Sequence, residues 1–336
     1  MPHRDLSELC SRLRDLLGIR FLLERTEGRG SSFHLFYCMV LKSGKSRSGT
    51  LPHPNSVSST MNGLSDLLVQ RYGAAVPKLP VKDFAENDTL PVLLAHKSVR
   101  RFKPDALPAG TLEMLGAAAQ SAASSSNLQT WSVVAISDPA RKDAAAKLSG
   151  DQDFIRQAPL FLIFCADLSR LTAVSEREQM PGAALDYTEM FVTAAIDVSL
   201  AGQNASVAAE GMGLGICYVG GARNHPQELA ALLNLPPRVV SLFGIAVGWP
   251  VDGDTTEIKP RLPQSGIIFH ETYGTEMRDA GVSVYNEVMQ SFYARQKMDV
   301  HGDWSEHSAR RVASPEALSG RDVLRQILEE RGFGMK

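Results

Sequence analysis

The sequence predicts a mixed sandwich of helices and strands, on three observations. Four short apolar runs, "WSVVAIS" (131–137), "LFLIFCAD" (160–167), "GICYVGG" (215–221) and "SLFGIAVGWP" (241–250), have the length and the β-branched and aromatic content of strands. Helical patterns over 108–122, 183–212 and 226–234 separate them. With 336 residues and 44% hydrophobic content, the chain can bury one large core or two smaller ones.

In chain order, "LSDLLVQRYG" (64–73) reads as a short helix stopped by glycine, and "TLPVLLAH" (89–96) leads into the cationic cluster "HKSVRRF" (96–102). The helix over 108–122 ends in a polar loop, "SSSNLQ" (124–129), which feeds the first strand. "AAAKLS" (144–149) then precedes a run, 160–167, apolar enough for a strand buried on both faces. The stretch 183–212 carries Ala, Val, Leu, Ile and Met on most faces, so it belongs in the centre of a core or at a subunit interface. "PQELAALLN" (226–234) places Pro226 at the first helical position. Beyond Pro250 come "EIKPRLP" (257–263), a helical stretch over 276–296, a polar segment around Trp304 and a last helix near 315–332.

Residues 1–60 differ from the rest. They hold nine Lys/Arg against five Asp/Glu, include a Ser/Pro/Gly-rich stretch from Ser43 to Thr60, and are expected to be a dispensable or disordered extension before a domain spanning 61–336. A small regulatory element is the alternative.

Several function classes are excluded. A formal charge of −2 does not suit generalised binding to nucleic acid or anionic membrane. No apolar run approaches the ~20 residues of a membrane span. Cys10, Cys38, Cys165 and Cys217 form no C-x-x-C pair and no metal-ligand spacing, which fits a reducing cytoplasm and gives no metal site. In "EGMGLGICYVGG" the glycines follow a helix and precede a strand, the reverse of a dinucleotide-binding loop. "HGDWSEH" (301–307) reads as a solvated turn, and Cys165 and Cys217 lie in apolar strands, where a thiol behaves as a small hydrophobe.

Three polar clusters remain, and each alone could be solvated surface. Together, His96, Lys97, Ser98, Arg100, Lys259 and Arg261 could hold a phosphate monoester if their segments meet. Ser124, Ser125, Asn127 and Gln129 suit a pyrimidine edge or ribityl hydroxyls. The inventory suggests a phosphorylated, ring-bearing ligand such as flavin mononucleotide (FMN).

At these residues the chain resembles the nitroreductase family, in particular its large oxygen-insensitive, NADPH-preferring nitroreductase and flavin reductase branch, over about 61–310. The resemblance rests on "HKSVRRF", "SSSNLQ", "GDQDFI" (150–155), "GICYVGGARN", "LFGIAVGWP" and "KPRLP". It implies an α+β fold, with a central, mostly antiparallel sheet of four to five strands among helices, in an interlocked homodimer whose C-terminal arms embrace and whose flavins sit at the interface. It further implies that His96, Lys97, Ser98 and Arg100 line the FMN and its phosphate, with Lys259 and Arg261 as further cations. Ser124, Ser125, Ser126 and Leu128 form a loop beside the flavin, Gln152 touches the ring edge, and Tyr218, Val219, Gly220 and Gly221 flank the ring by their backbone. Lys97 stands where the family has arginine, keeping charge without the bidentate fork. Arg295 is the candidate for the NADPH adenosine phosphate, whereas later basic positions of the arm are occupied by Pro315 and Leu318. Arg101 falls at a variable position and is expected to face solvent.

The implied activity is a ping-pong transfer of hydride from NADPH or NADH through flavin N5 to a nitroaromatic or quinone, with no side chain serving as acid or base. A flavin reductase supplying free reduced FMN, or a flavin-binding sensor without turnover, are the alternatives; a nucleic-acid module would require salt-sensitive binding. A chain beginning at Met61 is expected to keep its flavin and its activity, measured by absorbance and NADPH turnover, and loss of either would give residues 1–60 a role.

Overall fold

The computed structural model describes residues 63–77 and 87–336, so the expected extension over 1–60 lies outside the described residues. Four strands, β1 (Trp131–Ile136), β2 (Leu160–Asp167), β3 (Gly215–Val219) and β4 (Val239–Gly248), form one sheet in the order β1-β2-β4-β3, every neighbour antiparallel. All eight residues of β2 are buried. Leu160, Leu162, Phe164 and Ala166 face one apolar cluster, and Phe161, Ile163 and Cys165 face the other. Burial on both faces explains why this strand reads as an unbroken apolar run, although its neighbours are antiparallel. Each fully buried Phe or Ile contributes roughly 1.5–3 kcal/mol. On β4 an extra residue, Leu242, enters where the pairing jumps from Phe164–Phe243 to Cys165–Ser241, so Val240 and Leu242 join Ile245 and Val247 on one face.

Helices cover both faces. On the first lie α1 (Thr111–Gln120) and the long α2 (Thr188–Gly211); on the second lie α3 (Pro139–Leu148), α4 (Asp153–Gln157) and α5 (Pro226–Leu232). The buried face of α2 is Ala194, Asp197, Val198, Ala201, Gly202, Ala205, Ser206 and Ala209, small side chains that let the helix lie close on the sheet. The long helix is shorter than its sequence pattern. Residues Ala183–Asp186 form a separate 3-10 turn, because Tyr187 is extended (φ −90°, ψ 148°), and Asp186 there pairs with Arg238 at 2.5 Å and Lys336 at 3.0 Å.

Two further expectations need correction. The last helix breaks into a 3-10 turn (Pro315–Leu318) and α6 (Leu324–Glu330), since Ser319 and Gly320 adopt left-handed backbone (φ 57° and 79°). "HGDWSEH" is not a solvated turn: the Asp303 carboxylate accepts the Glu306 N–H at 2.9 Å and starts the helix Trp304–Arg311, while the Trp304 ring packs 5.2 Å from Tyr285. Tyr285 belongs to a helix over Thr275–Arg295, as the sequence predicts.

The helix Leu64–Tyr72 is tied to the segments around His96 and Lys259 by an arginine that sequence patterning passes over. Arg71 is buried (6% exposed) and its guanidinium donates to three backbone carbonyls: Leu94 at 2.8 Å, His96 at 2.9 Å and Lys259 at 2.8 Å. Its own carbonyl accepts the Arg261 N–H at 2.8 Å. Burial, and then the nearby Arg261, hold the guanidinium below its usual pKa. Arg71→Ala should strand three carbonyls and destabilise the fold by about 3 kcal/mol, since hydrogen bonds from a charged group contribute about 1.5–3 kcal/mol each and water refills part of the gap. Thermal denaturation would show it as a fall of several degrees, and an unchanged midpoint would contradict the bracing role.

Candidate functional site

The segment "HKSVRRF" leaves its short helix (Thr89–Ala95) and runs extended along the edge of the sheet. Ser98 bridges to Ile216, the Val99 N–H donates to the Ile216 carbonyl at 2.9 Å, and Phe102 bridges to Pro250. Val99 lies so close to Gly215 that a Cβ there would fall 2.8 Å from its Cγ2, so glycine at 215 is a packing requirement. "KPRLP" arrives on the other side of Arg71, through the bonds to Lys259 and Arg261 already described. Two segments some 160 residues apart in sequence thus flank one strand.

Arg100, Lys259 and Arg261 converge here. Among the described residues none of the three is ion-paired. Burial lowers the Lys259 pKa, and Arg100 and then Arg261 push it the same way. Between Arg100 and Lys259 lies the buried Cys217 thiol, which burial pushes up although both cations pull it down. Cys165 is held up at about 12 by burial, so neither thiol is a nucleophile. Three cations without a carboxylate form a field that favours an anion.

The other members of the cluster are engaged with protein. His96 Nδ1 lies 2.7 Å from Glu210 Oε1, at the end of α2. The Lys97 ammonium donates to the Thr256 carbonyl at 2.9 Å and sits 3.3 Å from Asp254, so it secures the turn before "KPRLP". Arg101 is exposed. Arg295 pairs with Glu257 at 3.3 Å, on the surface.

At the far end of β3, Gly221 passes against the Ser149 backbone: a Cβ on Gly221 would lie 2.3 Å from the Ser149 carbonyl oxygen. The Gln152 amide donates to that same oxygen at 2.9 Å, which puts Gln152 beside the Gly220–Gly221 turn. The Tyr218 side chain points the opposite way, accepting from Ser206 at 3.1 Å and packing on Phe243, so only its backbone is available at this strand end. The cationic trio, Gln152 and the glycine pair therefore line up along β3.

The loop Ser124–Gln129 is built differently. Ser126, Asn127 and Gln129 are left-handed (φ 49°, 56° and 52°), a backbone that costs of order 1 kcal/mol for a side-chain-bearing residue. What holds them is Asp197, 1% exposed on α2 and in no ion pair among the described residues. Its carboxylate accepts from Ser124 Oγ at 2.7 Å, the Ser125 N–H at 3.0 Å and Thr130 Oγ1 at 3.0 Å, and Ser124 Oγ in turn accepts the Gln129 N–H at 2.8 Å. No hydrogen bond or ion pair among the described residues joins this loop to the cationic trio. Sequence reasoning missed Asp197 because one aspartate in an apolar helix resembles a solvated position; its signal was its placement among Ala, Val and Gly.

Asp197→Ala should leave the Ser124, Ser125 and Thr130 donors unpaired and cost about 3 kcal/mol. Hydrogen exchange is expected to show lost protection at the Ser125 amide, with β2 amides unaffected; retained protection would mean that the loop holds its own shape.

Comparison with known proteins bears on the family and the fold. Residues 93–249 match the model of the Nitroreductase family, and 259–336 match that of the Nitroreductase family, C-terminal domain. The FMN reductase (NADPH) of Bacillus subtilis (strain 168) is 34% identical over 250 residues, 74% of this chain and 98% of that protein. The oxygen-insensitive NADPH nitroreductase of Salmonella typhimurium is 33% identical over 251 residues, 74% of this chain and all of that protein. Among solved structures, the NADPH:FMN oxidoreductase of Vibrio harveyi complexed with NAD+ superposes with a TM-score of 0.65 at 30% identity, over 74% of this chain and 100% of that one. Sheet order, the cationic trio flanking β3 and matches spanning nearly the whole length of these relatives carry one conclusion: the chain belongs to the nitroreductase family.

Proposed function

We propose that the protein is an FMN-dependent NAD(P)H oxidoreductase that reduces nitroaromatics or quinones, acting as a homodimer in the cytoplasm. The observation that carries the reading is the convergence of Arg100, Lys259 and Arg261, without an ion-pair partner among the described residues, beside a strand that ends in a close-packed glycine pair. The FMN phosphate is the anion these cations are suited to, and the thin backbone at Gly220–Gly221 with Gln152 beside it suits a flat ring. The names of the relatives from Bacillus subtilis and Salmonella typhimurium support the same assignment.

When bound, FMN would supply hydride-transfer chemistry between NAD(P)H and the acceptor. The chain's own residues bind and orient. Arg100, Lys259 and Arg261 neutralise the phosphate; burial, then Arg100 and Arg261, hold the Lys259 pKa below its usual value, and a bound anion acts against that shift. Glu210 fixes the His96 ring through Nδ1, leaving Nε2 to face the ligand. Ser98 supplies a hydroxyl along the same edge. The backbone of Tyr218, Val219, Gly220 and Gly221 borders the ring, and Gln152 contacts its edge. Arg295 receives the NADPH adenosine phosphate, since its exposed pair with Glu257 contributes at most ~1 kcal/mol and yields to a dianion.

The dimer places the flavin between copies, with Ser124, Ser125, Ser126 and Leu128 closing over it. It is supported by the outer face of α2, where Val192, Ile196 and Leu200 recur every fourth residue and are 43%, 53% and 42% exposed. The Bacillus subtilis relative, an FMN reductase, favours a second reading in which free FMN is itself the acceptor. Purified protein should be yellow, hold about one FMN per chain and sediment at twice the chain mass. Anaerobic NADPH should bleach it, and a nitroaromatic should restore the colour; a flavin that NADPH fails to bleach would leave only a binding role. The double change Arg100→Ala and Arg261→Ala should give colourless, folded protein. Turnover with free FMN against a nitroaromatic and a quinone then ranks the acceptors.

A further inference from the structure

A second pair of cations lies at the end of β3 and takes no part in the phosphate site. A Cβ on Gly220 would fall 3.8 Å from Arg223 Nη2 and 3.9 Å from Arg321 Nη1, so two guanidinium groups face one point beside the glycine turn. Arg223 comes from the turn itself, with Nη1 donating to the Leu242 carbonyl. Arg321 comes from the C-terminal segment: Gly320 is seated against the Asn224 carbonyl, where a Cβ would lie 3.3 Å away, and Arg321 Nε donates to the Leu318 carbonyl at 2.7 Å. Each arginine is thus held by one nitrogen and directs another at the shared point. Neither is ion-paired among the described residues. Burial first, and Arg321 next, lower the Arg223 pKa, as expected of like charges held close together.

We propose that Arg223 and Arg321 form an anion-recognition site for the electron acceptor, so that nitroaromatics and quinones bearing a carboxylate or sulfonate are reduced in preference to neutral analogues. This rests on the proposed FMN oxidoreductase reading. Two planar guanidinium groups give the forked donor geometry that a carboxylate or sulfonate accepts. The site is distinct from the phosphate trio. Arg100 and Lys259 flank Cys217, whereas this pair flanks Gly220, three residues on, about 10 Å away at ~3.3 Å per extended residue. If the ring lies along that backbone, the phosphate cations are at one end and the Arg223–Arg321 pair is near the edge where an acceptor stacks.

The test uses the full, flavin-loaded chain and matched acceptors: 4-nitrobenzoate against 4-nitrobenzyl alcohol, and 1,2-naphthoquinone-4-sulfonate against 1,2-naphthoquinone. The ratio of kcat/KM, anionic to neutral, should exceed one in the wild type and fall about tenfold in Arg321→Gln, the scale of one charge-assisted hydrogen bond. Arg321→Lys, which keeps the charge and loses the fork, should lie between. Titration of the oxidised protein with benzoate, followed by the flavin absorption band, should give tighter binding in wild type than in Arg321→Gln. Arg325→Gln, a change at an exposed arginine paired with Glu329, should leave the ratio alone. A ratio unaffected by Arg321→Gln overturns the proposal. So does a selective loss in the rate of flavin reduction by NADPH with the ratio intact, which would assign the pair to a dinucleotide phosphate. Protein that binds no flavin sinks the parent reading instead.

Discussion

The guanidinium of Arg71 is the interaction on which the approach of Arg100, Lys259 and Arg261 to β3 depends. It gathers the carbonyls of Leu94, His96 and Lys259, and its own carbonyl receives the Arg261 N–H. One side chain from a peripheral helix therefore sets the approach of two distant segments to β3. The arrangement also has an electrostatic side. A buried cation used wholly on neutral carbonyls adds positive potential, and it stands close enough to Arg261 for that neighbour, after burial, to lower the Arg71 pKa. A stable fold that keeps four cations together in this way is disposed to bind an anion, because the anion relieves a repulsion already present.

The strand β3 is the axis along which the functional groups are distributed. Its start is pressed between Val99 and the sheet; its middle carries Cys217 between Arg100 and Lys259; its end is the glycine turn beside Gln152, Arg223 and Arg321. Alternation sends Tyr218 into the core under α2 and leaves the backbone exposed at the end of the strand. The helix α2 serves three surfaces at once. Its small residues seat it on the sheet, Glu210 orients His96, and Asp197 holds the left-handed backbone of the Ser124–Gln129 loop. Its outer stripe of Val192, Ile196 and Leu200 leaves a further apolar surface exposed.

Much of the scaffold was legible from patterning. The run 160–167 was placed to the residue, since seven consecutive apolar positions ending at Asp167 suit a strand covered on both faces. The strands at 131 and 215 were placed at their first residues for similar reasons. Helix ends were less legible. The break at Tyr187 and the split at Ser319–Gly320 follow from single backbone angles, and periodicity averages over such points. The capping role of Asp303 in "HGDWSEH" needed the Trp304 side chain to have somewhere to pack, a fact about Tyr285 nineteen residues earlier in the chain.

By itself the sequence determined the strands, the long helix, the family and the set of cations at 96–100 and 259–261, because apolar periodicity and local residue order are properties of neighbours in the chain. The tertiary structure alone decided which of those cations are committed and which are free. Lys97 and His96 are engaged by Asp254 and Glu210, residues more than 110 positions away, while Arg100, Lys259 and Arg261 have no ion-pair partner among the described residues. It alone showed Arg71 as a brace, Asp197 as the anchor of a strained loop, and Arg321 beside Gly220. Charge pairing, burial and close backbone approach depend on distances in space, and a linear pattern does not encode them.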